Sequence, residues 1–258
     1  MFLIDQYAYM NKLNHVHPLE KILFSLLTMC IAIASKAIAI HIIVFVLMAI
    51  ATLFLAGIPK KIYINLLLLP LSFIFLGVMP ILILVSNTNV GFVFSVKALN
   101  LYFGITNQGI NSALIISVRS MAAAACLYFI TLTTPLTDII ELLKKSKLPQ
   151  TIIEIMSLIY RFIFVLIDSS FIIYNSQSAR LGYSSIRTSF RSLGKLISMV
   201  FIKAYNNSQA LYLSLISRGY SGELRVISNE YVINKTNIVG IIIIELTLIG
   251  LSFKMGGL

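Results

Sequence analysis

Long apolar runs separated by short polar breaks dominate this chain. Residues 1–18 are polar and aromatic, and no apolar segment follows a basic start, so no cleavable signal pattern is read there. Leu19–Ser35 and Ala37–Gly57 are two apolar runs broken at Lys36. They predict a helical hairpin whose first arm only just reaches the length of a membrane span, about 20 residues. Ile62–Ser86 predicts another span, interrupted by Pro70 and Pro80. Prolines in a membrane helix need neighbours to satisfy the carbonyls they free, so this helix is expected to be kinked and packed inside the bundle. Asn87–Asn107 is mixed and glycine-containing, and reads as a loop. Asn111–Thr131 and Asn237–Phe253 predict the remaining spans.

Two further stretches differ in pattern. Ile152–Tyr174 is long enough to cross a bilayer but carries Glu154, Arg161 and Asp168 at spacings of seven. Seven residues is nearly two helical turns, so the three charges form one stripe on an apolar helix. In Phe190–Arg218 the apolar residues Leu193, Leu196, Ile197, Val200, Phe201, Ala204 and Leu211 follow helical spacing. Arg191, Lys195, Lys203, Asn206, Asn207 and Gln209 fill much of the rest, which predicts an amphipathic helix too polar to span.

Composition fixes the class. Of 258 residues 59% are apolar and only 11% charged, with a mean hydropathy of +0.95. One aqueous core cannot bury that much apolar side chain, so a soluble enzyme is excluded. The runs are unbroken and do not alternate, which excludes a transmembrane β-barrel. The expectation is an all-α integral membrane protein. The net charge of +11 then reads as an orientation signal. With a cytoplasmic N-terminus and spans at 19–35, 37–57, 62–86, 108–133 and 237–253, sixteen basic residues lie inside. Lys36, Lys97 and Lys254 lie outside, and Arg119 lies within a span. A crossing at Ile152–Tyr174 would instead export Arg180, Arg187, Arg191, Lys195, Lys203, Arg218, Arg225 and Lys235, against the positive-inside rule. The predicted organisation is therefore N-terminal transmembrane helices over 1–134, a cytoplasm-facing platform of long helices over 135–236, and a last transmembrane helix over 237–258.

The platform opens at Thr134-Pro135 and an amphipathic helix (Leu136, Ile139, Ile140, Leu143) with Lys144, Lys145 and Lys147 at its end. Its two long helices then end alike. One runs to Ser178-Ala179-Arg180-Leu181-Gly182-Tyr183-Ser184, the other to Ser217-Arg218-Gly219-Tyr220-Ser221-Gly222. Each has an Arg in the last turn and then Gly-Tyr-Ser, with one extra Leu in the first copy. The glycines, Gly182 and Gly219, are expected to take the left-handed cap position.

These residues resemble the T component, the transmembrane coupling subunit, of energy-coupling factor transporters, and within it the cobalt-type CbiQ subgroup. The two endings are similar to that family's paired Ala-Arg-Gly motifs: here Ala179-Arg180-Leu181 and Ser217-Arg218-Gly219, each departing at one position. Ile4-Asp5-Gln6-Tyr7-Ala8-Tyr9, His15-Val16-His17-Pro18-Leu19-Glu20-Lys21 and Ser217–Glu223 resemble segments of CbiQ-type chains. The resemblance implies about five transmembrane helices and a multi-pass protein of a bacterial or archaeal cell membrane. It also implies coupling helices that bind two ATP-binding cassette ATPase subunits and pass their motion to a substrate-binding, CbiM-like membrane subunit. Ala179, Arg180, Gly182, Ser217, Arg218 and Gly219 are then the ATPase-coupling residues. The cargo it implies is cobalt ion, with nickel or a vitamin as the alternative. No Gly-x-x-x-x-Gly-Lys-[Ser/Thr] loop occurs, so ATP hydrolysis is expected in the partners and no catalytic or cofactor residue is expected in this chain.

Other chemistry is sparse. His15 and His17 read as structural, His41 and the nine Met residues as bundle packing, and Cys30 and Cys126 form neither a disulfide framework nor a zinc site. No metal site and no nucleic-acid partner is expected. An intramembrane metalloprotease would need clustered His and a Glu, and no His-Glu-x-x-His occurs. A stand-alone carrier or channel would show repeats or a charged path, whereas the spans hold only Arg119 and Glu245. Those two are expected at depths about 6 Å apart and should pair within the membrane.

Overall fold

The computed structural model describes residues 2–86, 92–98, 101–145, 148–220, 231 and 234–255. They form two compact units by packing. One comprises residues 1–135 with 230–258, the other residues 136–229.

The first unit holds α1 (Phe2–Met10), α2 (Pro18–Ala34), α3 (Ile38–Ile50), α4 (Lys60–Leu82), α5 (Asn107–Thr133) and α9 (Lys235–Lys254). The turn between α2 and α3 falls at Lys36, and a π-helical turn, Ala51–Leu55, prolongs α3. Helix α5 is central and packs on α1, α2, α3 and α4, while α9 packs on α2 and α3. The buried core joins Ala32 of α2, Val44 and Met48 of α3, Ala122, Ala125, Cys126 and Phe129 of α5, and Leu248 of α9. Water does not drive helices together inside a bilayer. Small residues that let backbones approach, and polar side chains that bridge them, take that role. Both occur here: the Ser25 hydroxyl of α2 donates to the Cys126 carbonyl of α5 at 2.6 Å. Thr28, one turn along, accepts from the Cys126 thiol at 3.9 Å.

The all-α membrane architecture holds. Among the described residues, five helical stretches are long and apolar enough to cross a membrane: 38–55, 60–82, 107–133, 150–179 and 235–254. Helix α2, at 17 residues, is shorter, and its buried face is mostly polar (Glu20, Lys21, Ser25 and Thr28). By length and composition the Glu154 helix belongs to the five as well.

Two local expectations change. First, α4 is not packed inside the bundle. Tyr63 is its one fully buried residue, and Leu68, Leu69, Phe73, Phe75 and Leu76 are exposed. A helix apolar on all sides needs no protein around it when its solvent is lipid. Its Pro70 is nevertheless satisfied. The missing amide frees the carbonyl of Leu66, one turn earlier, and the Tyr128 hydroxyl of α5 donates to that carbonyl at 2.9 Å. Tyr128→Phe is expected to cost about 1 kcal/mol, in line with interhelical bonds in membranes, and to lower the thermal midpoint in detergent. An unchanged midpoint would count against this role.

Second, the segment before α5 is not simply a loop. Its described residues before Asn107, with the last four of the expected span Ile62–Ser86, form a three-stranded antiparallel sheet, β1 (Ile83–Ser86), β2 (Phe92–Ala98) and β3 (Leu101–Thr106), in the order β1-β3-β2. The helix of that span therefore stops at Leu82. Ile83 pairs with Ile105 and Val96 with Phe103. The strands are rich in β-branched and aromatic residues, which fit a pleated surface and override the glycine signal. Residues 87–91, 99 and 100 of the expected loop lie outside the described residues.

The second unit is helical: α6 (Leu136–Lys144), α7 (Gln150–Ala179) and α8 (Ile186–Ser217). Contacts at both ends of the α7–α8 pair, Gln177 with Ser192 and Glu154 with Tyr220, make the two helices antiparallel.

Candidate functional site

Helices α7 and α8 end in the same backbone device. In the first, Arg180 is the C-cap, the Leu181 amide donates to the Ser178 carbonyl at 3.0 Å, and the Gly182 amide to the Gln177 carbonyl at 2.9 Å. In the second, Arg218 is the C-cap, the Gly219 amide donates to Ile216 at 2.9 Å, and the Tyr220 amide to Leu215 at 3.0 Å. Both are complete Schellman motifs, which satisfy the last carbonyls and stop the helix at the arginine, with the left-handed residue one position past it. Both guanidinium-bearing residues are exposed, as are Ala179, Ser217 and Gly219. Each positive charge sits where the helix dipole is negative.

The left-handed residue in the first motif is Leu181, with φ +57°, and in the second Gly219, with φ +71°. This corrects the expectation for Gly182. The arginines align directly, no residue is inserted, and Leu181 occupies the position that Gly219 fills. Gly182 serves another purpose: a Cβ there would lie 2.8 Å from both the Gln177 carbonyl oxygen and the Ser192 hydroxyl. A left-handed conformation costs a non-glycine residue about 1–2 kcal/mol. Leu181 is 74% exposed and forfeits little packing. Leu181→Gly is therefore expected to stabilise the first corner by about 1 kcal/mol, read as a rise in the midpoint of thermal unfolding.

The first arginine sits at a braced corner. The Gln177 amide donates to the Ser192 carbonyl at 3.2 Å, the Tyr183 hydroxyl to the Gln177 side chain at 2.8 Å, and the Ser192 hydroxyl to the Gly182 carbonyl at 2.8 Å. The Tyr174 and Tyr183 rings lie 4.7 Å apart. Ser185 and Thr188 form a capping box that starts α8. The second arginine sits at the other end of the pair. Helix α8 has 32 residues, so at 1.5 Å per residue the two arginine caps stand about 48 Å apart. There the Tyr220 hydroxyl donates to Glu154 Oε2 at 2.8 Å, and that donation pushes the tyrosine's pKa above its ordinary value. Sequence patterning missed Gln177, Ser192 and Tyr220. The repeated Gly-Tyr-Ser was the available signal, but it aligns the tyrosines one residue out of structural register. Ser221, Gly222 and Glu223 of the second ending lie outside the described residues.

Of the charged stripe, Glu154 is half-buried under Tyr220, while Arg161 and Asp168 are exposed. The expected Arg119–Glu245 pair is not formed. Arg119 Nη2 donates to the Ser35 carbonyl at 2.7 Å, and the buried carboxylate oxygens of Glu245 have no hydrogen-bond partner among the described residues. Ser35 caps α2, so its carbonyl is one that the helix leaves unsatisfied, at the negative end of the dipole. That acceptor outcompetes a carboxylate judged to share its depth. Arg119→Gln is expected to cost about 1.5–3 kcal/mol. Glu245→Gln should leave stability unchanged or raise it, and the double variant should be additive in thermal unfolding. Strong coupling between the two would overturn this assignment.

His17 is engaged structurally, its Nδ1 accepting the Leu19 amide at 3.1 Å to cap α2. Among the described residues no three His, Cys, Asp or Glu side chains cluster as metal ligands.

Comparison with known proteins places these features. Residues 10–227 match the family model CbiQ, described as cobalt transport protein. The chain is 25% identical to the cobalt transport protein CbiQ of Salmonella typhimurium over 223 residues, covering 86% of this chain and 99% of that protein. It is 33% identical over 222 residues to the putative fused cobalt transport protein CbiMQ of Methanocorpusculum labreanum, covering 85% of this chain but 37% of that longer protein. It is 31% identical over 170 residues to the energy-coupling factor transporter transmembrane protein EcfT of Exiguobacterium sibiricum, covering 60% and 65% of the two chains. With the match extending over both units and through both arginine-capped helix ends, the chain belongs to the CbiQ cobalt transport protein family.

Proposed function

We propose that this chain is the transmembrane coupling component of an energy-coupling factor importer, most directly one for cobalt ion. In this reading two ATPase subunits dock on the arginine ends of α7 and α8. Their closing motion passes through the helix pair to a separate membrane subunit that captures the ion. The N-terminus and the α6–α8 region face the cytoplasm, as the distribution of Lys and Arg favours.

One observation carries the reading. Two Schellman ends present an exposed Arg in the same backbone setting at opposite ends of one antiparallel pair. Two equivalent partners require two equivalent contacts, and the planar guanidinium suits a two-pronged bond to a carboxylate. The names of the fused CbiMQ relative and of the EcfT relative support partners of this kind. Nickel or a vitamin as cargo is the second reading, since the name of the EcfT relative specifies no cobalt.

Isolation of the chain from its native membrane in mild detergent tests the assembly. An ATP-binding cassette subunit should accompany it, together with a second membrane protein. Recovery of the chain alone, with full cobalt uptake in cells lacking any such ATPase, would refute the proposal in favour of a self-sufficient carrier.

A further inference from the structure

The packing between α7 and α8 is thin. No residue of α8 is fully buried, and on α7 only Ile153 and Ser169 are. Such a pair is defined by its ties more than by a core. The corner near Arg180 is tied by Gln177, Tyr183 and Ser192. At the open end, 66 residues apart in sequence, Tyr220 reaches back to Glu154 in the second turn of α7. Tyr220 makes two bonds of different kinds. Its amide closes the Schellman motif on Leu215, and its hydroxyl bonds Glu154. The residue that fixes the backbone around Arg218 is therefore also the residue that attaches this end of α8 to α7. Gln150, one turn before Glu154, donates to the other carboxylate oxygen at 3.5 Å and orients the acceptor.

We infer that Tyr220 and Glu154 form a clasp that positions the Arg218 cap against the start of α7, so that α7 and α8 move as one lever. Both are positioning residues. The clasp rests on the coupling function proposed above for its consequence, but not for its existence. Without it the free end of α8 swings about the braced corner, and motion delivered at Arg218 is spent on bending the pair. A carbonyl oxygen can replace the carboxylate as acceptor, whereas an alanine cannot. Glu154→Gln should therefore retain the clasp, and Glu154→Ala and Tyr220→Phe should each lose it.

Two measurements test this on the full-length chain within its transporter complex. Spin labels at exposed Thr151 and Leu213, with Cys30 replaced by Ala, should give one narrow distance distribution by pulsed electron resonance in the parent and in Glu154→Gln. In Tyr220→Phe and in Glu154→Ala the distribution should broaden, the closed population falling roughly threefold relative to the open one. Uptake per ATP hydrolysed should fall by a similar factor in those two variants, no further in their combination, and recover in Glu154→Gln. Unchanged distributions in Tyr220→Phe would overturn the clasp. Broadened distributions with undiminished uptake per ATP would overturn its role as a lever tie. If Arg218→Glu leaves transport intact, the coupling reading fails instead, and the distance measurement alone still decides the clasp.

Discussion

Replacing Arg180 and Arg218 together by Glu is expected to abolish ATP-driven uptake while the chain still inserts into the membrane. Both side chains are exposed at helix ends, so neither holds the fold together. A charge-assisted Arg–carboxylate contact in a partly desolvated groove is worth about 1.5–3 kcal/mol. Removing one side of such a buried pair strands the other charge and costs about 3–5 kcal/mol, and charge reversal adds repulsion. Two sites lost together exceed what a marginal docking contact can absorb. Single Arg→Lys variants should recover only part of the activity, because an ammonium cannot form the two-pronged bond. The geometry also separates the two positions. Leu181 holds a strained left-handed cap beside Arg180, whereas Gly219 holds the same cap beside Arg218 without strain. Uptake and ATPase rates of the Lys, Ala and Glu series, measured side by side, check the assignment. If the arginines only anchor helix ends to anionic lipid, Lys variants will transport normally and Ala variants nearly so. Full transport by the double Glu variant would sink the coupling role.

Glu20→Ala is expected to give the largest loss of stability in the first unit, about 3 kcal/mol or more. Glu20 is only 2% exposed, yet its carboxylate is fully used. One oxygen accepts the Asn234 amide at 2.8 Å, and the other accepts the Asn237 side-chain amide at 2.9 Å. These two bonds tie the N-cap region of α9 to the first turn of α2. Hydrogen bonds to a charged group contribute about 1.5–3 kcal/mol each, and both are lost with the carboxylate. Glu20→Gln should be intermediate. Its oxygen can still serve Asn234, but its amino group meets the Asn237 amino group, donor against donor. Thermal unfolding in detergent gives the magnitude. Hydrogen exchange at the first turn of α9 shows whether the tether itself is lost, since that turn should lose protection in Glu20→Ala. Equal protection in the parent and the variant would contradict it.

The membrane class was legible in the residues, because transfer into lipid is a sum of local contributions that a run of side chains carries wherever it folds. The helix stops at Arg180 and Arg218 were legible for the same reason: capping is decided within a few residues of the helix end. Even so, the register of the first cap was misread. Glycine is the usual left-handed residue, but a cap needs the conformation, and Leu181 supplies it while Gly182 makes room for Gln177 and Ser192.

Partner choice was not legible. Depth and opposite charge match Arg119 to Glu245, but an arginine bonds whichever acceptor is most available, and the capping carbonyl of Ser35 is left unbonded by its own helix and lies at the negative end of α2. The same holds for Tyr128 beneath Pro70, for Glu20 on α9, and for Tyr220 on Glu154. Each bond joins residues far apart in sequence, and hydropathy contains no term for where a distant carbonyl or carboxylate will lie. The sequence by itself determined the solvent, the long helices and the stops of α7 and α8 at their arginines. The tertiary structure alone decided which polar groups meet, because that depends on packing geometry and not on local composition.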